Sequence, residues 1–114
     1  MVSVPFSISN AHRGASDMRG TVRVEGDELV IEMQVKVFNL FKKAPQTFRF
    51  ELTDLEEVRH TRRVWGDTVV LRTQPMDRVA AIPGSSSGEL HLKVRRRDRP
   101  HLDTLLERID LWIL

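Results

Sequence analysis

The sequence predicts a mainly β domain, a curled sheet of about seven or eight short antiparallel strands closed by one C-terminal α-helix. Alternation of apolar and polar residues recurs in short runs through most of the chain, the mark of strands with one buried face. Residues 98–114 break that period: Leu102, Leu105, Leu106, Ile109, Trp112 and Ile113 recur at helical spacing, with Asp103, Glu107, Arg108 and Asp110 opposite them. A single helix after a series of strands must cover its stripe against the sheet. At 114 residues the chain reads as one domain, 1–114, with a core large enough to hold without disulfide or metal.

The elements follow in order. Val2, Val4, Phe6 and Ile8 alternate with Ser3, Pro5, Ser7 and Ser9 as a strand, and Pro5 predicts an edge position. With the polar loop 10–17 it forms an N-terminal addition, 1–17. Gly26-Asp27 then offers a two-residue hairpin turn. Pairing outward from it sets Val24 opposite Leu29, Val22 opposite Ile31, Gly20 opposite Met33 and Met18 opposite Val35, so turn and pattern agree on one register. The second strand runs to Val37 and passes into an apolar turn, 38–45. Phe48, Phe50 and Leu52 face inward on the next strand. Thr53 to Glu56 has capping-box spacing and predicts a helical turn or bend, with Leu55 and Val58 packed inward.

A second hairpin is expected from Glu57 to Trp65 and 68–73, turning on Gly66-Asp67. That register pairs Val64 with Val69 and places Arg62 opposite Leu71, which calls for a bulge, a position at the barrel end, or an arginine pointing into the mouth of the sheet. Val79 to Ile82 reads as a short strand and 83–88 as a flexible connection. Leu90, Leu92 and Val94 form the last strand. Asp98 is the expected helix N-cap, with Pro100 tolerated in the first turn.

Composition excludes several classes. Lys plus Arg total 18 against 16 Asp plus Glu, a net charge of +2, and a dedicated nucleic-acid binder carries more excess. The charge is concentrated in Arg95, Arg96, Arg97 and Arg99, and in Arg59, Arg62 and Arg63. There is no cysteine, which removes disulfides and thiolate chemistry and fits a cytoplasmic location. The N-terminus lacks the pattern of a secretory signal, and no apolar run approaches the roughly 20 residues of a membrane span, so no transmembrane segment is expected.

The hairpin around Gly26-Asp27, the bend Phe50-Glu-Leu-Thr-Asp-Leu-Glu-Glu-Val58 and the finish Leu90-His-Leu-Lys-Val94 to Asp98-Arg-Pro-His-Leu102-Asp-Thr-Leu-Leu106 resemble the small bacterial pleckstrin-homology-like (PH-like) proteins. The resemblance spans about residues 18–114, and Trp112 is similar to the tryptophan such domains carry in their final helix. It implies a PH-like barrel and a binding role. One departure matters. Phosphoinositide-binding members carry a Lys/Arg motif across their first hairpin loop, whereas Glu25, Asp27 and Glu28 here put three carboxylates at the tip, which repel a phosphorylated headgroup.

The first candidate surface is Phe38, Leu40, Phe41, Lys42 and Lys43. Apolar residues in a turn predict association with a protein partner or a second copy, while aromatics beside lysines also suit an anionic lipid interface; the competing reading is that two of the three apolar side chains tuck under the barrel. Arg95, Arg96, Arg97 and Arg99 are candidates for anion binding near a helix start, against the plainer reading of a solvated strand end. His12, His60, His91 and His101 share no metal-ligand spacing and read as surface positions, so neither metal nor cofactor is expected. Ser85, Ser86 and Ser87 lack the base and strand-turn-helix context of a nucleophile. The function expected is therefore non-enzymatic: protein interaction or self-association first, peripheral binding to anionic lipid second, and carriage of a small apolar ligand in a lipocalin-like barrel third.

Overall fold

The computed structural model describes residues 2–8, 16–37, 40–41, 46–74, 79, 82, 85 and 88–113, with side chains described for all of these but 16–17, 34–37, 40–41 and 111–113. It is mainly β with one C-terminal helix, as the sequence predicts. Eight strands form a single sheet: β1 (Ser3–Ile8), β2 (Ser16–Glu25), β3 (Glu28–Val37), β4 (Leu40–Phe41), β5 (Gln46–Glu51), β6 (Leu55–Arg62), β7 (Gly66–Thr73) and β8 (Glu89–Arg95). A 3₁₀ turn at Arg96–Asp98 leads into α1 (Arg99–Ile113). All pairings are antiparallel, in the order β4-β3-β2-β1-β8-β7-β6, and β5 shares the outer edge of β3 with the two-residue β4. The sheet is thus seven strands wide and stays open between β5 and β6.

The first hairpin has the expected register, Val24↔Leu29 through Met18↔Val35. Gly26 adopts φ +61 in its turn, a conformation that a side chain disfavours, and the Asp27 carbonyl accepts a hydrogen bond from Leu52 N at 2.8 Å. That bond ties the tip to a 3₁₀ turn at Leu52–Asp54, the predicted bend. Curling of the sheet brings Val4, Phe6, Val22, Leu29, Ile31, Phe50, Leu71 and Leu90 into one core, and Leu102, Leu105 and Ile109 of α1 complete it. Burial of each such side chain contributes about 1.5–3 kcal/mol.

Several expectations are corrected. Pro5 lies on an interior strand, between β2 and β8, although among the described residues β1 meets β8 through the single pair Ser7↔Lys93, so the flank of the strand at Pro5 is nearly free of ladder bonds. Val79 is helical, and Ile82 N donates to Val79 O at 2.9 Å, a turn-type bond where a strand is predicted; both side chains are buried. The predicted N-terminal loop ends sooner, since β2 already begins at Ser16. The chain enters the helix through the 3₁₀ turn, and α1 starts at Arg99, directly after the expected cap position Asp98.

The largest correction concerns the second hairpin. The turn sits at Val64-Trp65, with Arg63 N donating to Gly66 O at 3.0 Å, and Gly66 and Asp67 open β7. Register follows as Arg62↔Asp67 and His60↔Val69, and the one irregularity lies between Leu55 and Glu57. Two facts hold Gly66-Asp67 in the strand. A Cβ on Gly66 would come within 2.5 Å of the Val94 carbonyl oxygen, so the close approach of β7 to β8 requires glycine. Asp67 is buried in a polar network, described next.

Candidate binding surface at the second hairpin

Asp67 turns its carboxylate under the β6–β7 tip, where its side chain has no exposed surface. His60 Nε2 lies 2.6 Å from Oδ2, and Arg99, at the first turn of α1, donates from Nε to Oδ1 at 2.9 Å. Arg99 Nη2 also donates to the Arg63 carbonyl at 2.7 Å. Burial pushes the Asp67 carboxyl pKa up, but the hydrogen bonds from Arg99 and His60 outweigh it and hold the group below its ordinary value. Arg62 lies at the rim and reaches Asp103 of α1 at 2.9 Å, the barrel-end position anticipated as one of the alternatives. Five side chains from β6, β7 and α1, His60, Arg62, Asp67, Arg99 and Asp103, therefore fix the hairpin against the helix.

What they fix is an exposed apolar tip. Val64 keeps 68% of its surface in solvent and Trp65 keeps 89%. Such exposure of a tryptophan is uncommon on a surface that has no further role. Beside it runs a row of cations. Arg63, Lys93, Arg95, Arg96 and Arg97 are exposed, as is Arg19 on β2, and none has an ion pair among the described residues. By contrast Arg23, Arg49, Arg59, Arg62, Arg72 and Arg99 each face a carboxylate. A shallow cavity of about 290 Å³ joins Trp65 and Arg63 to Ser7, Thr68, Lys93 and Arg95.

The predicted site residues are placed unevenly. Arg95, Arg96 and Arg97 belong to this basic row, whereas Arg99 is committed to Asp67 and to the Arg63 carbonyl. Leu40 and Phe41 pair with Val37 and Lys36 as β4, and Phe38, Lys42 and Lys43 lie outside the described residues. The serine run falls there too, apart from Ser85. His60, expected at a bare surface position, is instead a partner of Asp67, because the turn falls at Val64-Trp65, two residues before the expected Gly66-Asp67. For the same reason Trp65, expected at the end of a strand, stands in the turn.

The His60–Asp67 pair borders a second cleft, lined by Val58, Arg62, Leu106 and the acids Asp103, Glu107 and Asp110. Among the described residues no serine or threonine lines it. Among the described residues no group of three or more metal-ligating side chains comes together, and no helix is long and apolar enough to cross a membrane. Comparison of the chain with protein-family models, with curated proteins and with solved structures found no match.

Proposed function

We propose that this chain is a PH-like, non-enzymatic binding module that docks peripherally on an anionic lipid surface through the β6–β7 tip. The strand order, two antiparallel meanders joined through β1 with a terminal helix in the core, supports the PH-like reading. The observation that carries the function is Trp65, 89% exposed at a projecting turn, with Val64 beside it and unpaired cations flanking it. Tryptophan favours the membrane–water interface, and each basic residue near an anionic surface contributes about 1 kcal/mol. The apolar part of the tip amounts to two side chains, small for a stable protein interface but enough for shallow insertion.

This reading moves the docking surface from the 38–43 turn to the second hairpin. Cosedimentation with vesicles of phosphatidylglycerol and phosphatidylcholine tests it. Binding should weaken as salt rises and drop at least tenfold in Trp65→Ser. Absence of binding to the anionic vesicles at low salt overturns the proposal. If light scattering then shows a wild-type dimer that Trp65→Ser converts to monomer, the same tip serves self-association, the other binding role expected from the sequence.

A further inference from the structure

The seam between β1 and β8 contains a second feature, a different place in the fold from the Trp65 tip although it shares cations with the row beside it. Among the described residues these neighbours are paired only at Ser7↔Lys93, and towards Pro5 and Arg95 no further pair forms. Pro5 has no N–H to leave unpaired, so parting the strands there costs less than it would elsewhere in the sheet. The gap holds a cavity of about 290 Å³, floored by Pro5, Phe6 and Gly20. Its walls carry Ser7, Arg19, Lys93, Arg95, Arg97 and Asp98, four cations against one carboxylate and one hydroxyl.

We infer that this slot binds a phosphomonoester group. Three elements supply the four cations: β2 gives Arg19, β8 gives Lys93 and Arg95, and the 3₁₀ turn gives Arg97. None of them has a carboxylate partner among the described residues, so a dianion entering the slot meets donors that no salt bridge has to release. Guanidinium groups match tetrahedral oxyanions by paired N–H donors, and the lysine adds a compact charge. A phosphomonoester, with a second pKa of about 6, is close to doubly charged at neutral pH. Asp98 adds selectivity. Its carboxylate repels sulfate, which has no proton at neutral pH, but accepts a hydrogen bond from the proton that inorganic phosphate keeps and that a phosphomonoester keeps in its monoanionic form, so phosphate is favoured over sulfate, the more so for a monoester as pH falls towards its second pKa of about 6.

The slot shares Ser7, Lys93 and Arg95 with the cavity beside Trp65, so soluble anions, which offer no membrane for the tip to enter, separate the two readings. Amide chemical shifts of the full chain are followed at constant ionic strength against inorganic phosphate, glycerol 3-phosphate and sulfate. Saturable shifts centred on Ser7, Arg19, Lys93 and Arg95 are expected with both phosphates and weaker ones with sulfate. Lys93→Gln with Arg95→Gln should weaken phosphate binding at least tenfold, and Asp98→Asn should narrow the gap between phosphate and sulfate. Arg59→Gln, which removes a cation already paired with Glu57 and Glu89, should leave binding unchanged. Vesicles containing phosphatidic acid, against phosphatidylglycerol at equal charge, give the second arm. Preference for phosphatidic acid that disappears in the double variant identifies a lipid-borne phosphomonoester, and binding of glycerol 3-phosphate alone identifies a soluble one. The inference is overturned if neither soluble phosphate nor phosphatidic acid is preferred, or if Arg59→Gln weakens binding as much as the double variant.

Discussion

At the β2–β3 turn Gly26 takes a positive φ and Arg23 and Arg49 are tied to Glu25, Glu28 and Glu32, while at the β6–β7 turn Val64 and Trp65 stand in solvent beside an Arg63 with no described carboxylate partner. Both are short antiparallel connections in one sheet. The first has its charges neutralised locally, and Arg23 holds the Glu25 carboxyl below its ordinary pKa. The second has its polar anchors underneath, in Asp67, His60 and Arg99, and leaves its outer side chains without partners. The difference shows that a hairpin tip can be rigid for two unlike reasons. Charge pairing on the outside leaves no docking surface, whereas a buried anchor frees the outside for one.

Removing α1 should break the comparison most completely, because among the described residues only the second tip is pinned to that helix by ion pairs. A chain ending after Asp98 loses Leu102, Leu105 and Ile109 from the core, on the order of 5–10 kcal/mol of burial, comparable with the whole stability of a domain. Its thermal melt should lose cooperativity. A sharp transition in the shortened chain would show that the sheet folds unaided.

Next in size is Asp67→Ala, which leaves Arg99 and His60 without their carboxylate and should cost about 3–5 kcal/mol in denaturant unfolding. The pH response follows from the same group. Because Asp67 has a lower pKa folded than its ordinary 3.8, its contribution is complete above about pH 4 and is lost as pH falls through the folded value. Asp67→Asn should therefore flatten the acid limb of the stability curve below pH 4. An unchanged limb would move the acid sensitivity to another carboxylate.

A smaller effect tests the first tip. Gly26→Ala meets open space but must hold a left-handed backbone, so a loss of about 1 kcal/mol is expected. Smallest of all is Trp65→Ser, within about 0.5 kcal/mol of wild type, since an exposed side chain contributes little to folding. A larger loss there would mean that the tryptophan packs on the protein rather than awaiting a partner.

The first hairpin was legible because turn residue and alternation favour the same register, from Val24↔Leu29 to Met18↔Val35. The helix was legible because Leu102, Leu105 and Ile109 have no other place to go. In the second hairpin the local signals conflicted. Val64 and Trp65 have high strand propensity and Gly66-Asp67 resembles a turn, but tertiary forces reverse both assignments: β8 packs against Gly66, and α1 brings Arg99 to Asp67. The cation row was only partly visible, since Arg95, Arg96 and Arg97 are contiguous in sequence whereas Arg19, Arg63 and Lys93 join them through strand order. Arg99 belongs to that run in sequence and to the buried anchor in space.

The seam at β1 also orders the folding reaction in time. Residues 3–8 acquire their second neighbour only when residues 89–95 are available, so the two meanders can form early while the join between them depends on a contact of long sequence separation. Loop closure over that distance slows the last step and leaves one edge of β1 uncovered until it is complete. Pro5, which cannot donate a backbone hydrogen bond, makes that waiting edge a poorer template for pairing with another chain.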